Sequence, residues 1–197
     1  MNHKIIVLIA PPLGGKNTFA RLLCKKYDER LLPISRIDFG FYLRKRLSES
    51  KSAQINSGNL LPNQIIFNAV DKLLKNTKVG TVILDGYPRS LEQAYYLNRY
   101  TIHAIQLDIS LTEMEQRAEN RITCVTCGNT TVKANINQIC ECGSMQWIIR
   151  PDDKLEIARK RYLAYQSYLP NILNFYKSQD KLVNMSHDNC NWEVLGL

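Results

Sequence analysis

The chain alternates short apolar runs with segments in which apolar residues recur every three or four positions. Five short runs predict buried β-strands, at residues 4–10, 31–35, 81–84, 103–108 and 182–185. The segments between these runs predict helices, and the clearest begins at Pro62. Strands that alternate with helices are typical of a parallel sheet covered by helices. We therefore predict one α/β domain.

The last predicted helix is the longest and has two local signals. Asp152 or Asp153 is a suitable cap for its first turn, and the amphipathic pattern continues to about Lys177. Pro170 lies inside this pattern and is expected to kink or break the helix. A closing helical turn is expected within residues 191–197.

The first strand and the first helix (residues 16–27) are joined by the segment APPLGGKNT, residues 10–18. A strand, a glycine turn, a lysine and a helix start form the context of a phosphate-binding loop, where free N–H groups face an anion. Lys16 would reach the outer phosphates and the Thr18 hydroxyl would face magnesium. The pattern GxxxxGK[ST] is incomplete, since Ala10 and Asn17 replace a glycine and a serine or threonine. The alternative is a plain βα turn with a solvated lysine.

A second polar group follows the third predicted strand. Asp85 and Arg89 come directly after the run TVIL, and a helix is predicted from Leu91. Ligands of open α/β sheets bind beyond the carboxyl ends of the strands. An aspartate there can hold magnesium through water, and an arginine can clamp phosphate oxygens. The alternative is an Asp-Gly turn followed by a helix that Ser90 caps.

Four of the six cysteines lie within one short segment, in the patterns CxxCG and CxCG. Two turns with two thiolates each, joined by a hairpin, predict a structural zinc site of Cys124, Cys127, Cys140 and Cys142. The alternative is four reduced thiols in a hairpin. Four thiolates leave no open position, so a catalytic zinc is not expected. Cys24 and Cys190 are expected to be ordinary thiols.

Composition and charge narrow the class of protein. The 197 residues are 45% hydrophobic and 22% charged, without an apolar run of the roughly 18 residues that span a membrane. We therefore expect a cytoplasmic protein. The net charge of +8 fits nucleic acid, an anionic membrane or a small polyanion. Scattered arginines favour a compact polyanion as the ligand.

Arg117 and Arg121 are four residues apart and fall on one side of a helix predicted from Thr112. The alternative is a solvated helix face on which they pair with Glu113.

Together these motifs, from residue 4 to residue 176, resemble adenylate kinases of the bacterial form with a long zinc-bearing lid. The strongest likeness is LDGYPRSLEQA, residues 84–94, which is similar to the family signature of DG, an aromatic residue, PR, three residues and QA. The resemblance implies a P-loop three-layer sandwich with a central five-stranded parallel sheet. It implies a core at about 1–38, 62–121 and 150–197, an NMP-binding arm at 39–61 and a zinc-ribbon-like lid at 122–149.

The resemblance also implies the reaction, which is reversible transfer of the terminal phosphoryl group of MgATP to AMP. The residues that it implies for catalysis are Lys16, Arg89, Arg121, Arg150 and Arg161. For ATP it implies Leu13, Gly14, Gly15, Lys16, Asn17, Thr18, Arg117 and Arg121, and for water-bound magnesium Asp85 and Thr18. For AMP it implies Phe39, Arg44, Asn59, Leu60, Leu61, Gly86, Tyr87, Pro88, Arg89, Gln93, Arg150 and Arg161, with Gly58 beginning the backbone stretch at the base.

Several positions depart from the family pattern. Ala10, Leu13 and Asn17 each place a side chain where the family loop has glycine, and a positive φ at Leu13 costs about 1–2 kcal/mol. Phe39 stands near the position of the family's threonine at the AMP base. Two alternatives therefore stay open: a kinase for another monophosphate, and a non-catalytic relative that binds nucleotide, nucleic acid or protein. The hairpin has one lysine and no arginine, so nucleic acid is not expected, and we expect a monomer.

Overall fold

The computed structural model describes residues 3–30, 32–57, 59–78, 80–185 and 195, with the backbone alone at Thr101. Five strands of this part of the chain form a parallel sheet in the order β2-β3-β1-β4-β8. The strand bounds are β1 Lys4–Ile9, β2 Ile34–Asp38, β3 Thr81–Asp85, β4 Thr101–Gln106, β5 Arg121–Cys124, β6 Thr130–Val132, β7 Trp147–Ile148 and β8 Leu182–Asn184. The predicted five-stranded parallel sheet is confirmed. The strands β6-β5-β7 form a small antiparallel sheet.

Helices connect the strands of the parallel sheet. Their bounds are α1 Lys16–Glu29, α2 Phe39–Arg46, α3 Glu49–Asn56, α4 Asn63–Asn76, α5 Leu91–Leu97, α6 Leu111–Asn120 and α7 Leu155–Lys177. Among the described residues, no helix is both long and apolar enough to cross a bilayer.

The middle strand β1 packs against helices on both faces of the parallel sheet, which gives three layers of helix, sheet and helix. Its side chains alternate between two cores, since Ile5 and Val7 pack with residues of α4, α5 and α7, whereas Ile6 and Leu8 pack with residues of α1. All four are almost completely buried. A strand that is buried on both faces requires a continuous apolar run, which is why KIIVLI carries no polar alternation.

Two strands lie a few residues from their predicted positions. The second strand is Ile34–Asp38 rather than 31–35, and Leu31 is outside the described residues. It is an edge strand, and all five of its residues are half-buried, so a polar strand is tolerated there. The fourth strand is Thr101–Gln106 rather than 103–108, because its pairing with β1 begins at Lys4 opposite Thr101.

The long helix α7 corrects the expected cap, and it is continuous through Pro170. Asp152 and Asp153 do not cap it: they lie in the preceding 3₁₀ turn Pro151–Asp153, where both are buried, and Lys154 is the N-cap residue. The helix is not broken at Pro170, because buried residues on both sides of the proline anchor it to the core. The turn expected within 191–197 lies outside the described residues, apart from Leu195.

Candidate active site

A cavity of about 950 Å³ opens at the carboxyl edge of the parallel sheet. Its walls come from the loop after β1, the ends of β3 and β4, α6, β6 and α7. Predicted residues that line it are Leu13, Gly14, Gly15, Lys16, Asn17, Thr18, Leu60, Asp85, Gly86, Pro88, Arg89, Arg117, Arg121, Arg150 and Arg161. Groups far apart in the chain therefore meet at one site.

The loop between β1 and α1 has the tight geometry that its sequence predicts. At Gly14 a Cβ atom would lie 2.9 Å from both Ala10 Cβ and the Pro11 carbonyl oxygen, so only glycine fits. Leu13 has φ 61°, so it adopts the strained left-handed conformation whose cost the sequence analysis considered. Lys16 Nζ donates to the carbonyl oxygens of Ala10, at 2.9 Å, and Pro11, at 2.7 Å. The ammonium group is thus held against the loop.

Positive charges outnumber negative charges around Lys16. Burial lowers the pKa of Lys16 to about 7, the nearby Asp85 carboxylate opposes this shift, and Arg89, Arg161 and Arg121 lower the pKa further. Mutually repelling cations at one cavity are stabilised when a polyanion enters.

Asp85 has a cationic partner that the sequence analysis missed. Arg36 Nη2 donates to Asp85 Oδ2 at 2.9 Å. Burial and the neighbouring Asp38 raise the pKa of Asp85, whereas Arg36 and Lys16 lower it. Asp38 is paired with Asp85 in the parallel register of β2 and β3, so both carboxylates lie at the same sheet edge. Carboxylate and hydroxyl oxygens, here with Thr18 in the cavity wall, suit Mg²⁺.

A fully buried carboxylate joins three of the predicted arginines. Asp152 accepts from Arg161 at 2.6 Å and from Arg44 at 2.8 Å, and the closest Arg150 contact is 3.1 Å. Burial alone would raise the pKa of Asp152, but Arg150, Arg161 and Arg44 outweigh it and hold the pKa far below its ordinary value. The sequence does not indicate this role of Asp152, because an aspartate just before a helix is typical of a cap.

Arg121 is paired in the same way but lies elsewhere than expected. Helix α6 ends at Asn120, so Arg121 is the first residue of β5 and does not share a helix face with Arg117. Arg121 pairs with the buried carboxylate of Asp153. Arg117 donates to the Leu13 carbonyl oxygen at 3.1 Å, and Glu113 forms a capping box with Ser110, not a pair with either arginine.

Gln93 lies outside the cavity lining. It is 3% exposed, its Oε1 accepts from the Arg89 backbone N–H at 2.8 Å, and its Nε2 donates to Asn63 Oδ1 at 2.8 Å. Arg89 itself lines the cavity and donates from Nε to the Gly86 carbonyl oxygen at 2.8 Å. Ser90 caps α5 by accepting from the Gln93 N–H, so the predicted cap and the site coexist.

Five other residues predicted for AMP also lie beyond the cavity walls. Phe39, Leu61 and Tyr87 are buried in the core, Arg44 pairs with Asp152, and Asn59 accepts from Lys160 at 3.1 Å. Gly58 lies outside the described residues. The phosphate-facing part of the predicted set is thus assembled around the cavity, whereas the base-facing part is mostly packed behind it.

The four predicted cysteines come together at the base of the small antiparallel sheet. Their sulfur atoms all lie within 4.8 Å of one another, with Cys124 and Cys142 at 3.7 Å and Cys127 and Cys140 at 3.6 Å. Gly128 and Gly143, which follow the two turns, have φ of 77° and 85°, a conformation that favours glycine. This set of donors can hold one metal ion.

A parallel sheet with a lysine-bearing phosphate loop and converging arginines defines a P-loop kinase, and thus a phosphotransferase. Comparison with known proteins agrees, since the model of the family described as adenylate kinase matches residues 8–181. The chain belongs to the adenylate kinase family.

Individual relatives match over nearly the whole chain. Adenylate kinase of Orientia tsutsugamushi is 35% identical over 90% of this chain and 87% of its own length. Adenylate kinase of Fervidobacterium nodosum is 32% identical over 91% of this chain and 88% of its own length. Adenylate kinase of Thermococcus kodakarensis is 32% identical over 93% of this chain and 87% of its own length.

Proposed function

We propose that this protein is an adenylate kinase that transfers the γ-phosphoryl group of MgATP to AMP. An AMP phosphate oxygen forms the new P–O bond, the bond between the γ-phosphorus and its bridging oxygen breaks, and two ADP result. The observation that carries the proposal is the convergence of Lys16 and five arginines on one cavity at the carboxyl edge of the sheet.

Each cation has a role that follows from its place. Lys16 and the loop N–H groups hold the β- and γ-phosphates, and Arg117 lies against the ATP side, on Leu13. Arg89, Arg121, Arg150 and Arg161 neutralise charge on the transferring group; the last three are oriented by buried aspartates. Phosphoryl transfer needs positioning and charge stabilisation more than covalent chemistry from the protein.

Asp85 and Thr18 are the residues that we assign to magnesium. Bound Mg²⁺ neutralises phosphate charge and orients the phosphates. Asp85 holds its position through Arg36, which lies 2.9 Å from it, so the carboxylate is oriented before nucleotide enters.

The AMP side is the less complete part of the proposal. We assign Arg44 and Arg89 to the AMP phosphate, and Arg44 is held in place by its hydrogen bond to Asp152. Leu60, Gly86, Pro88 and Arg89 line the cavity on this side. For Gln93 to read the base, it must exchange a hydrogen bond with Asn63 for one with adenine. Phe39, Leu61 and Tyr87 act by shaping the wall behind this subsite. Asn59 is exposed and accepts from Lys160.

We assign Zn²⁺ to the four cysteines, because four thiolates at this spacing form a closed tetrahedral site. The metal stabilises the small sheet and takes no part in the reaction.

We assign residues 122–149 to the lid and residues 39–61 to the arm of a monomeric cytoplasmic enzyme. Gel filtration with light scattering tests whether the protein is a monomer.

A coupled assay of ADP formation from ATP and a panel of nucleoside monophosphates tests the proposed reaction. We expect AMP to be the preferred acceptor and Lys16→Ala to lower the rate by about 10²–10³-fold or more, as for loss of a preorganised charge partner. Lys75→Ala is the matched control, since it removes an exposed lysine at the end of α4. Preference for another monophosphate would favour a nucleoside monophosphate kinase with a different acceptor. No turnover by the metal-loaded wild type with any monophosphate would overturn both kinase functions.

A further inference from the structure

Separate elements of the chain contact one short stretch of the small sheet. This stretch, residues 126–129, lies in the connection from β5 to β6, and we call it the knuckle loop. From the arm helix α2, Lys45 Nζ donates to the Thr126 carbonyl oxygen at 2.9 Å. From the first turn of α1, Asn17 Nδ2 donates to the Gly128 carbonyl oxygen at 3.4 Å. The loop thus contacts the arm and the phosphate loop at once.

A third contact joins the knuckle loop to the proposed magnesium site. Arg36 Nη1 donates to Asn129 Oδ1 at 3.4 Å, while Nη2 of the same guanidinium group donates to Asp85. Movement of the loop would therefore change the partner that orients Asp85.

The closest contact explains why the loop has a glycine. A Cβ atom on Gly128 would lie 2.8 Å from Phe41 Cδ2 and 2.9 Å from Phe41 Cγ, so the ring of Phe41 packs directly on the loop backbone. The ammonium group of Lys45 lies 4.6 Å from the centre of this ring. Gly143, in the second cysteine turn, has a similar φ but no atom within 4 Å of its Cβ position. Of the two glycines, Gly128 is therefore the one that packs against another element.

The second cysteine turn has a weaker attachment. Glu141 pairs there with Arg21 of α1, and the two side chains are 67% and 42% exposed. Exposed ion pairs contribute little to stability, because water screens the two charges. The first turn combines ring packing with hydrogen bonds from side chains to its backbone carbonyl groups, so it is the stronger attachment of the small sheet.

We infer that the knuckle loop is the surface on which the arm docks, and that Phe41, Lys45 and Asn17 are positioning residues for phosphoryl transfer. The inference rests on the proposed function for its effect on catalysis, but not for the docking itself. Docking fixes α2, which carries Arg44, and holds Asn17 beside Lys16 in the cavity wall. A misplacement of about 1 Å at such a site can cost roughly 10²-fold in rate.

The test compares Gly128→Ala with Gly143→Ala. Both introduce a methyl group at a similar positive φ in a cysteine turn, but only the first meets Phe41. We expect Gly128→Ala to raise KM for AMP, or lower kcat/KM, by about 10–100-fold, with little change in Gly143→Ala. Hydrogen exchange of the α2 amides, with and without saturating ADP, is expected to be at least about tenfold faster in Gly128→Ala alone. Metal content is measured for each variant.

Phe41→Ala gives a second test that leaves the cysteine turn unchanged, and it decides the question if Gly128→Ala loses its metal. It should accelerate exchange in α2 and raise KM for AMP, and Phe41→Leu should restore part of both. Equal behaviour of the two glycine variants with metal bound, or unchanged exchange and kinetics in Phe41→Ala, would overturn the docking role. Because hydrogen exchange needs no turnover, failure of the proposed reaction would not be mistaken for failure of docking.

Discussion

At the scale of single residues, Asp152 combines complete burial with contacts to three guanidinium groups. Its replacement by asparagine would keep the shape but leave these cations without their shared anion. We expect Asp152→Asn to lower the free energy of unfolding by about 3–5 kcal/mol, the usual effect of breaking a buried pair. Urea denaturation followed by circular dichroism measures this change.

The matched control for this substitution is Asp71→Asn, because Asp71 pairs with Arg99 where both side chains are about half exposed. Its effect should stay below about 1 kcal/mol. The native pKa of Asp152 lies below its unfolded value of about 3.9, so its stabilisation is complete above that pH and is lost as pH falls further. Equal losses in the two variants would contradict a structural role for the cluster.

The ammonium group of Lys16 predicts a pH dependence of nucleotide binding. Its pKa of about 7 in the free protein must rise when phosphate binds, since an anion favours the charged form. ADP affinity contributed by Lys16 is therefore constant below pH 7 and falls by up to about tenfold per pH unit above it. Isothermal titration calorimetry from pH 6 to pH 9 measures the slope, and Lys16→Met should abolish it. The same slope in that variant would assign the proton to another group.

At the scale of elements, the small antiparallel sheet depends on its cysteines. We expect one zinc ion per chain in wild type, and its loss in Cys127→Ser with a fall in Tm of at least about 5 °C, or roughly 2 kcal/mol. Cys24→Ser is the control, because Cys24 is half-buried in α1 and outside the cluster. Metal analysis and differential scanning calorimetry provide the two readouts. Full zinc content in Cys127→Ser would refute the four-sulfur site.

Elements were predictable where local pattern and tertiary burial agree. The continuous apolar run of β1 and the cysteine spacing each indicate one structure, and the structure has both. A positive φ at Leu13 entered the sequence analysis only as a condition, on the glycine of the family loop, and the structure meets that condition. The β2 strand was misplaced because an edge strand tolerates polar residues, which weakens the apolar signal.

Side-chain partners across long sequence separations were not predictable from local pattern. Asp152 looked like a helix cap, and only the fold brings Arg44, 108 positions earlier, to its carboxylate. Arg36 carried no motif at all, yet it holds Asp85. Helix α7 continues through Pro170 because packing on both sides outweighs a local preference. Charge pairing and packing of this kind depend on topology, not on spacing along the chain.

At the scale of the whole molecule, a single cavity of about 950 Å³ is bounded by the phosphate loop, α7 and the small sheet together. Lys16 and Arg117 lie towards the phosphate loop, whereas Leu60 and Arg89 line the side that we propose for AMP. The two nucleotides are therefore expected to occupy the cavity at the same time, and the phosphoryl group to pass directly between them.

Initial rates of ADP formation, measured over a matrix of ATP and AMP concentrations, test this arrangement most directly. Direct transfer within one cavity predicts reciprocal plots that intersect, because both nucleotides must be bound before the phosphoryl group moves. Parallel lines, which indicate a phosphorylated enzyme intermediate, or release of phosphate to water at the same rate without AMP, would contradict it.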